Sequence, residues 1–203
     1  TSNLPPKSLY RDGLQRQRFL PAIALLESHC EIVCVDGSMD YRLRQLTKAP
    51  IYLQSESAHA AAALTEIFED LADGLGRNQH SIRIEGREIP VIRACDNVAW
   101  FDFRALCDGP RSQNDYVSIA REFQSVIVSG VPVFTTDGTS EDAARRFIAL
   151  VDEFYDRRVK LVLDSEERLT DVLSDALGTT EKDRTESRLI EMQTSRYLAE
   201  AHL

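Results

Sequence analysis

The sequence predicts an α/β fold, and three observations carry that expectation. Short apolar runs of strand length recur along the chain, among them Ile32-Val33-Cys34-Val35, Val126-Ile127-Val128 and Leu161-Val162-Leu163. Segments with apolar residues at helical spacing lie between them, at residues 58–75 and 140–155. Strands apolar on both faces, alternating with amphipathic helices, suit a parallel sheet covered on both sides. The third observation is composition. With 203 residues, 43% hydrophobic and 28% charged, the chain has enough apolar surface for one large domain or two small ones.

Taken in order, Thr1-Ser2-Asn3-Leu4-Pro5-Pro6 reads as the exit from a buried strand, so a preceding segment is expected. The two prolines should delay any helix until Lys7 or Ser8. Phe19, Leu20, Ile23 and Leu26 then recur at helical spacing, and the helix is expected at residues 20–29, with Pro21 tolerated near its start. Residues 31–37 are an apolar run ended by Gly37, which suits a buried strand. Arginines alternate through residues 40–46. Residues 58–75 place Ala60, Leu64, Ile67, Phe68 and Leu71 on one helical face, with Gly74 and Gly76 as stops, and form a candidate lid.

Residues 81–92 alternate apolar and polar across Glu85-Gly86, the pattern of an antiparallel hairpin. Residues 98–103 add a strand, and a helix at 116–123 follows the polar stretch 108–115. A strand at 126–131 leads to the helix at 140–155, capped by Ser140 and favoured by Glu141 and Asp142 at its positive end. Residues 159–163 form another buried strand. Helices at 169–177 and 184–201 complete the chain. Asp152-Glu153 has the look of an acidic metal pair but falls on a predicted helix, which makes it structural. Tyr41, Trp100, Phe103 and Tyr155 suit core packing.

Charge and cysteine usage narrow the functional classes. A net charge of −9 opposes tight binding to nucleic acid, which requires clustered cations. An oligonucleotide site on the hairpin would rest on Arg83, Arg87 and Arg93 alone. No run of about 20 apolar residues would span a bilayer. Cys30, Cys34, Cys95 and Cys107 lack metal or disulfide spacing and read as small core residues in a reducing compartment. The four histidines are too dispersed for a metal site, and none is assigned to one.

Several strings together resemble the ZapE family, the bacterial relatives of the mitochondrial lactation-elevated (AFG-type) ATPases within the AAA+ class. They are the opening Thr1-Ser2-Asn3-Leu4-Pro5-Pro6, Leu9-Tyr10-Arg11-Asp12-Gly13-Leu14-Gln15-Arg16, Phe19-Leu20-Pro21 and Asp40-Tyr41-Arg42-Leu43. Further on come Ala144-Arg145-Arg146-Phe147-Ile148, Asp156-Arg157-Arg158-Val159-Lys160-Leu161-Val162 and Ser187-Arg188-Leu189-Ile190-Glu191-Met192-Gln193.

The resemblance implies the C-terminal remainder of a P-loop (AAA+) α/β core at residues 1–37 and a helical lid at 38–80. A mixed α/β region with a β-hairpin at 81–178 and a C-terminal helix at 179–203 would follow. It implies ATP and Mg2+ as cofactors, bound mainly by an N-terminal half, because no G-x-x-x-x-G-K-[ST] run occurs here. The fragment alone should be inactive.

By the same resemblance Asn3 stands at sensor one, where a carboxamide can hold an attacking water. Arg16 or Arg18, just before the expected helix, stands where an arginine finger reaches a neighbouring subunit's phosphate. Arg42 or Arg44 would sense nucleotide.

The implied whole is a cytoplasmic ATPase, or one of the mitochondrial matrix, that forms a homo-oligomer with ATP. It would act on a protein partner, the tubulin-like division protein FtsZ in bacterial members and respiratory-chain subunits in mitochondrial ones. The alternative is a stand-alone protein-interaction module without nucleotide hydrolysis.

Overall fold

Four parallel strands and one antiparallel strand form a sheet in the order Tyr52–Gln54, Lys160–Ser165, Ser125–Val131, Val98–Asp102, Arg93–Cys95. The computed structural model describes residues 6–8, 16–30, 52–54, 57–72, 80–134, 141–173 and 179–203. Asn3, Arg42, Arg44, Cys34, Tyr41, Ser140 and the strand expected at 31–37 lie outside them. Two compact units divide the chain, Thr1–Met39 and Asp40–Leu203.

In the first unit a 3-10 turn at Pro6–Ser8 precedes helix α1 (Arg16–His29). The turn begins on the second proline, whose fixed φ and missing N–H suit a first helical position. The start expected at Leu20 is corrected to Arg16, because Pro21 sits inside the helix. The cost is the one hydrogen bond that an N–H at Pro21 would have made one turn back.

The second unit opens with β1 (Tyr52–Gln54) and α2 (Ser57–Ala72). A separate hairpin pairs β2 (Ser81–Ile84) with β3 (Arg87–Pro90) through Glu85 at φ 49 and Gly86 at φ 76. Two successive positive φ angles make a turn whose twist matches the strands. β4 (Arg93–Cys95) then pairs antiparallel with β5 (Val98–Asp102). Short α3 (Phe103–Cys107) and α4 (Gln113–Glu122) lead to β6 (Ser125–Val131), and α5 (Glu141–Asp156) leads to β7 (Lys160–Ser165). The end of the chain carries α6 (Leu169–Val172), α7 (Thr179–Met192) and α8 (Ser195–Ala199). The single helix expected at 184–201 is corrected to two, because the Thr194 hydroxyl accepts from the Tyr197 N–H and starts a new helix.

The pleat separates two cores. Ala99, Phe101, Val126, Val128, Leu161 and Leu163 face α4 and α5, whose Tyr116, Ile119, Phe147, Val151 and Phe154 are buried with them. Val98, Trp100, Ile127 and Val162 face the opposite way, toward Leu64, Phe68 and Leu71 of α2. Those three side chains stand four and three residues apart, so one stripe of α2 covers this face, with the Phe68 ring 6.4 Å from Trp100. The helix expected as part of the lid thus packs on one face of the sheet. Burying one leucine or phenylalanine contributes about 1.5–3 kcal/mol, so α2 is firmly attached.

Candidate functional site

The described site residues are Arg16 and Arg18, both in the first turn of α1 rather than ahead of it. At 100° per residue they lie 200° apart and project from opposite sides. Arg16 shares its side with Ile23, seven residues on, which is buried. Its Nη2 donates to the Lys7 carbonyl at 3.0 Å, and its Nε is shielded with no hydrogen-bond partner. Lys7 in turn lies 3.9 Å from Glu27, so the 3-10 turn and α1 are tied at two points. Arg18 is exposed, on the side of Leu25, which is 60% exposed. Among the described residues, one guanidinium is therefore anchored and the other has no partner.

In an open α/β sheet ligands gather at the carboxyl ends of the strands. Here those ends are acidic. Asp102 closes β5, where its Oδ1 accepts the Arg104 N–H at 2.9 Å and caps α3. Gly130, at φ +70, interrupts the β6 ladder. Its N–H donates to Asp164 Oδ2 on β7 at 3.1 Å. Beyond β7 come Glu166 and Glu167, whose carbonyls accept from Gln54 and Tyr52 of β1 at 3.5 and 2.5 Å. In the sequence, β1 is followed by Ser55-Glu56-Ser57, without glycine.

Several charges elsewhere in the second unit serve the fold. Asp115 is fully buried, and its carboxylate accepts from Arg87 Nη2 at 2.5 and 2.7 Å and from the Ser112 N–H at 2.7 Å. Burial alone would raise its pKa. The Ser112 N–H, the Arg87 guanidinium and the Ser112 hydroxyl outweigh that and hold it below the usual carboxylate range. Arg93 stacks 4.4 Å from the Phe68 ring centroid and pairs with Glu69 at 3.2 Å. Of the three hairpin arginines only Arg83 lacks a partner among the described residues, too little for an oligonucleotide site.

Asp152 and Glu153 do lie on a helix, α5. Asp152 pairs with Arg184 at 3.0 Å and with Arg188, while Glu153 meets Arg157 at 3.5 Å and accepts from Gln113 at 2.7 Å. Burial pushes the Cys107 thiol up to about 12, which leaves it an inert core thiol. Among the described residues no group of three or more His, Cys, Asp or Glu could hold a metal. No described helix is long and apolar enough to cross a membrane.

Sequence reasoning missed a junction in which residues of the two last matching strings meet Tyr155, Tyr197 and Glu200. The Tyr155 and Tyr197 rings stack with centroids 5.6 Å apart, and Tyr155 donates to Glu191 at 2.7 Å. Arg188 lies 5.0 Å over Tyr155, and Arg158, at φ 62, pairs with Glu200. Buried Lys160 donates to the Tyr197 and Glu200 carbonyls at 3.0 and 2.8 Å. These contacts fasten α7 and α8 to the corner between α5 and β7. A lysine inside an apolar run was the available signal.

Comparison with known proteins gives this arrangement its relatives. The AFG1-like ATPase family profile matches residues 1–201. The chain is 42% identical over its whole length to the cell division protein ZapE of Escherichia coli, of which it covers 54%. It is 34% identical over 97% of its length to lactation elevated protein 1 homolog B of Danio rerio, covering 46% of that protein. An uncharacterised protein of Schizosaccharomyces pombe is 39% identical over 82% of the chain. The chain thus spans about half the length of the curated relatives it matches. No solved structure matches it. With its α/β architecture and a family match over nearly every residue, the chain belongs to the AFG1-like ATPase family.

Proposed function

We propose that these residues are part of an AAA+ ATP hydrolase whose phosphate loop and magnesium-binding acids lie outside them. The observation that carries the reading is the family match over residues 1–201 in a sequence with no phosphate loop of its own. Magnesium, held by acids outside these residues, would neutralise part of the charge on the ATP phosphates. Asn3 orients the attacking water through its carboxamide. Arg16 presents a guanidinium to the γ-phosphate held by a neighbouring subunit, where it offsets charge developing in the transition state. Arg18 is the second candidate for that role, and Arg42 or Arg44 contacts nucleotide.

An arginine acting across a subunit boundary requires a homo-oligomer. In this reading residues 1–37 close the nucleotide core, 38–80 form the lid, and 81–178 with 179–203 form the working region. Because α2 is fastened to the sheet by Leu64, Phe68 and Leu71, a lid movement would carry the sheet with it. The work is done on a protein partner, FtsZ in a bacterial cytoplasm by resemblance to ZapE, with the mitochondrial matrix as the alternative setting. The 203 residues alone do not hydrolyse ATP.

The test is turnover by the full-length protein. Arg16→Ala should leave nucleotide binding nearly intact and lower hydrolysis by about 10³-fold, the scale of an arginine finger. Unchanged hydrolysis would remove Arg16 from the site. A second reading, a protein-interaction module without hydrolysis, draws support from the compact unit Asp40–Leu203 with cores of its own. It predicts full partner binding without nucleotide.

A further inference from the structure

A cleft of about 480 Å3 opens at the carboxyl end of β5, within the size range of ligand pockets. Its apolar side is Pro90 and Ile92, and its polar rim carries Asp102, Arg104, Asp108 and Arg111. The Ile92 N–H is fixed on the Trp100 carbonyl at 2.8 Å, and its side chain stays 40% exposed. Arg111 Nε donates to the Ala105 carbonyl at 2.9 Å, which fixes the guanidinium plane and leaves both terminal nitrogens without a partner among the described residues. The exposed Arg104 guanidinium has no partner among the described residues. The loop between α3 and α4 is held in turn by Arg87, whose Nη1 donates to the Pro110 carbonyl at 2.9 Å. Two arginine forks without partners among the described residues thus stand over a fixed apolar wall.

Guanidinium forks match a carboxylate or a phosphate. Asp102 and Asp108 on the same rim decide between them, since a dianionic phosphate would meet two negative charges. A single carboxylate flanked by amide N–H groups satisfies both signs. We propose that this cleft docks an extended segment of another protein in which an aspartate or glutamate stands beside an aliphatic side chain. The carboxylate pairs with Arg104 and Arg111, the aliphatic group covers Ile92 and Pro90, and neighbouring amide N–H groups donate to Asp102 and Asp108. Docking here requires no nucleotide, so it stands or falls apart from the ATPase reading.

The test is NMR titration of the isotope-labelled 203-residue chain with N-acetyl-leucyl-aspartyl-leucine amide. The Ile92 methyl and the Gly109 amide should shift and saturate. The asparagine version of the peptide should bind about tenfold more weakly, as should Arg104→Ala and, separately, Arg111→Lys. Fluorescence of Trp100, the single tryptophan, checks that each variant is folded. Inorganic phosphate at equal concentration should shift neither signal. No shift with the aspartyl peptide, equal binding of its asparagine version, unchanged binding by folded Arg104→Ala, or saturation by phosphate would each overturn the proposal.

Discussion

Removing the Arg87 guanidinium tests whether the hairpin and α4 are joined by a buried charge. Asp115 has no exposed surface, whereas the Arg87 side chain is 45% exposed. In Arg87→Ala the carboxylate keeps the Ser112 N–H at 2.7 Å and the Ser112 hydroxyl at 3.1 Å and loses both guanidinium bonds. Breaking a wholly buried pair costs about 3–5 kcal/mol, and losing a hydrogen bond to a charged group about 1.5–3 kcal/mol. Water can reach the place vacated by a half-exposed arginine, so the expectation is about 2 kcal/mol. At a urea dependence of about 2 kcal/mol per molar, the midpoint falls by about 1 M. Trp100 lies in the same unit and its indole N–H donates to Ser129 at 3.0 Å, so its fluorescence follows the transition.

A pH series separates this pair from an ordinary surface contact. The Asp115 pKa is depressed in the folded chain, so the unfolded chain takes up that proton first as acid is added. The stabilisation is complete above the unfolded value of about 4 and is lost as pH falls through the folded value. Arg87→Ala should flatten the loss of stability below about pH 4, and Asp115→Asn should remove this group's share of it. A change of less than about 0.5 kcal/mol in Arg87→Ala, as for a solvated pair, would refute the reasoning.

Two further predictions concern the fold. Gly86→Ala meets no atom within 4 Å but keeps φ at +76, so it should cost about 1–2 kcal/mol through backbone strain alone, read by urea melts. Tyr197→Phe removes a hydroxyl lying 3.1–3.2 Å from the Phe154, Tyr155 and Val159 carbonyls. It should cost about 1–2 kcal/mol and speed amide exchange in α8; unchanged exchange would mean that the hydroxyl does not hold that helix.

The hairpin was readable because Glu85-Gly86 interrupts an alternating pattern that only one pairing register satisfies. The strands β5, β6 and β7 were readable from apolar runs, since burial on both faces leaves no polar position inside them. Strand order was not readable, because it is set by contacts between distant segments. The edge strands Tyr52–Gln54 and Arg93–Cys95 were missed, since three residues carry no period. Ser112 and Asp115 form a capping box for α4, hidden in what reads as a polar stretch before a helix expected only at residue 116. Of the candidate site, Arg16 came from a family string and Arg18 only from its place beside it, just before the expected helix. Which one is anchored depends on a carbonyl nine residues away that periodicity does not reveal.

We propose that this chain lends an arginine to phosphate bound by another subunit. It is tested most directly by mixing two inactive full-length proteins, one carrying Arg16→Ala and one with the lysine of the phosphate loop replaced. The account predicts that the mixture recovers part of the ATP hydrolysis, because each intact half-site meets its complement across a boundary. A mixture as inactive as its components, or an Arg16→Ala protein that hydrolyses ATP at the wild-type rate, would contradict it.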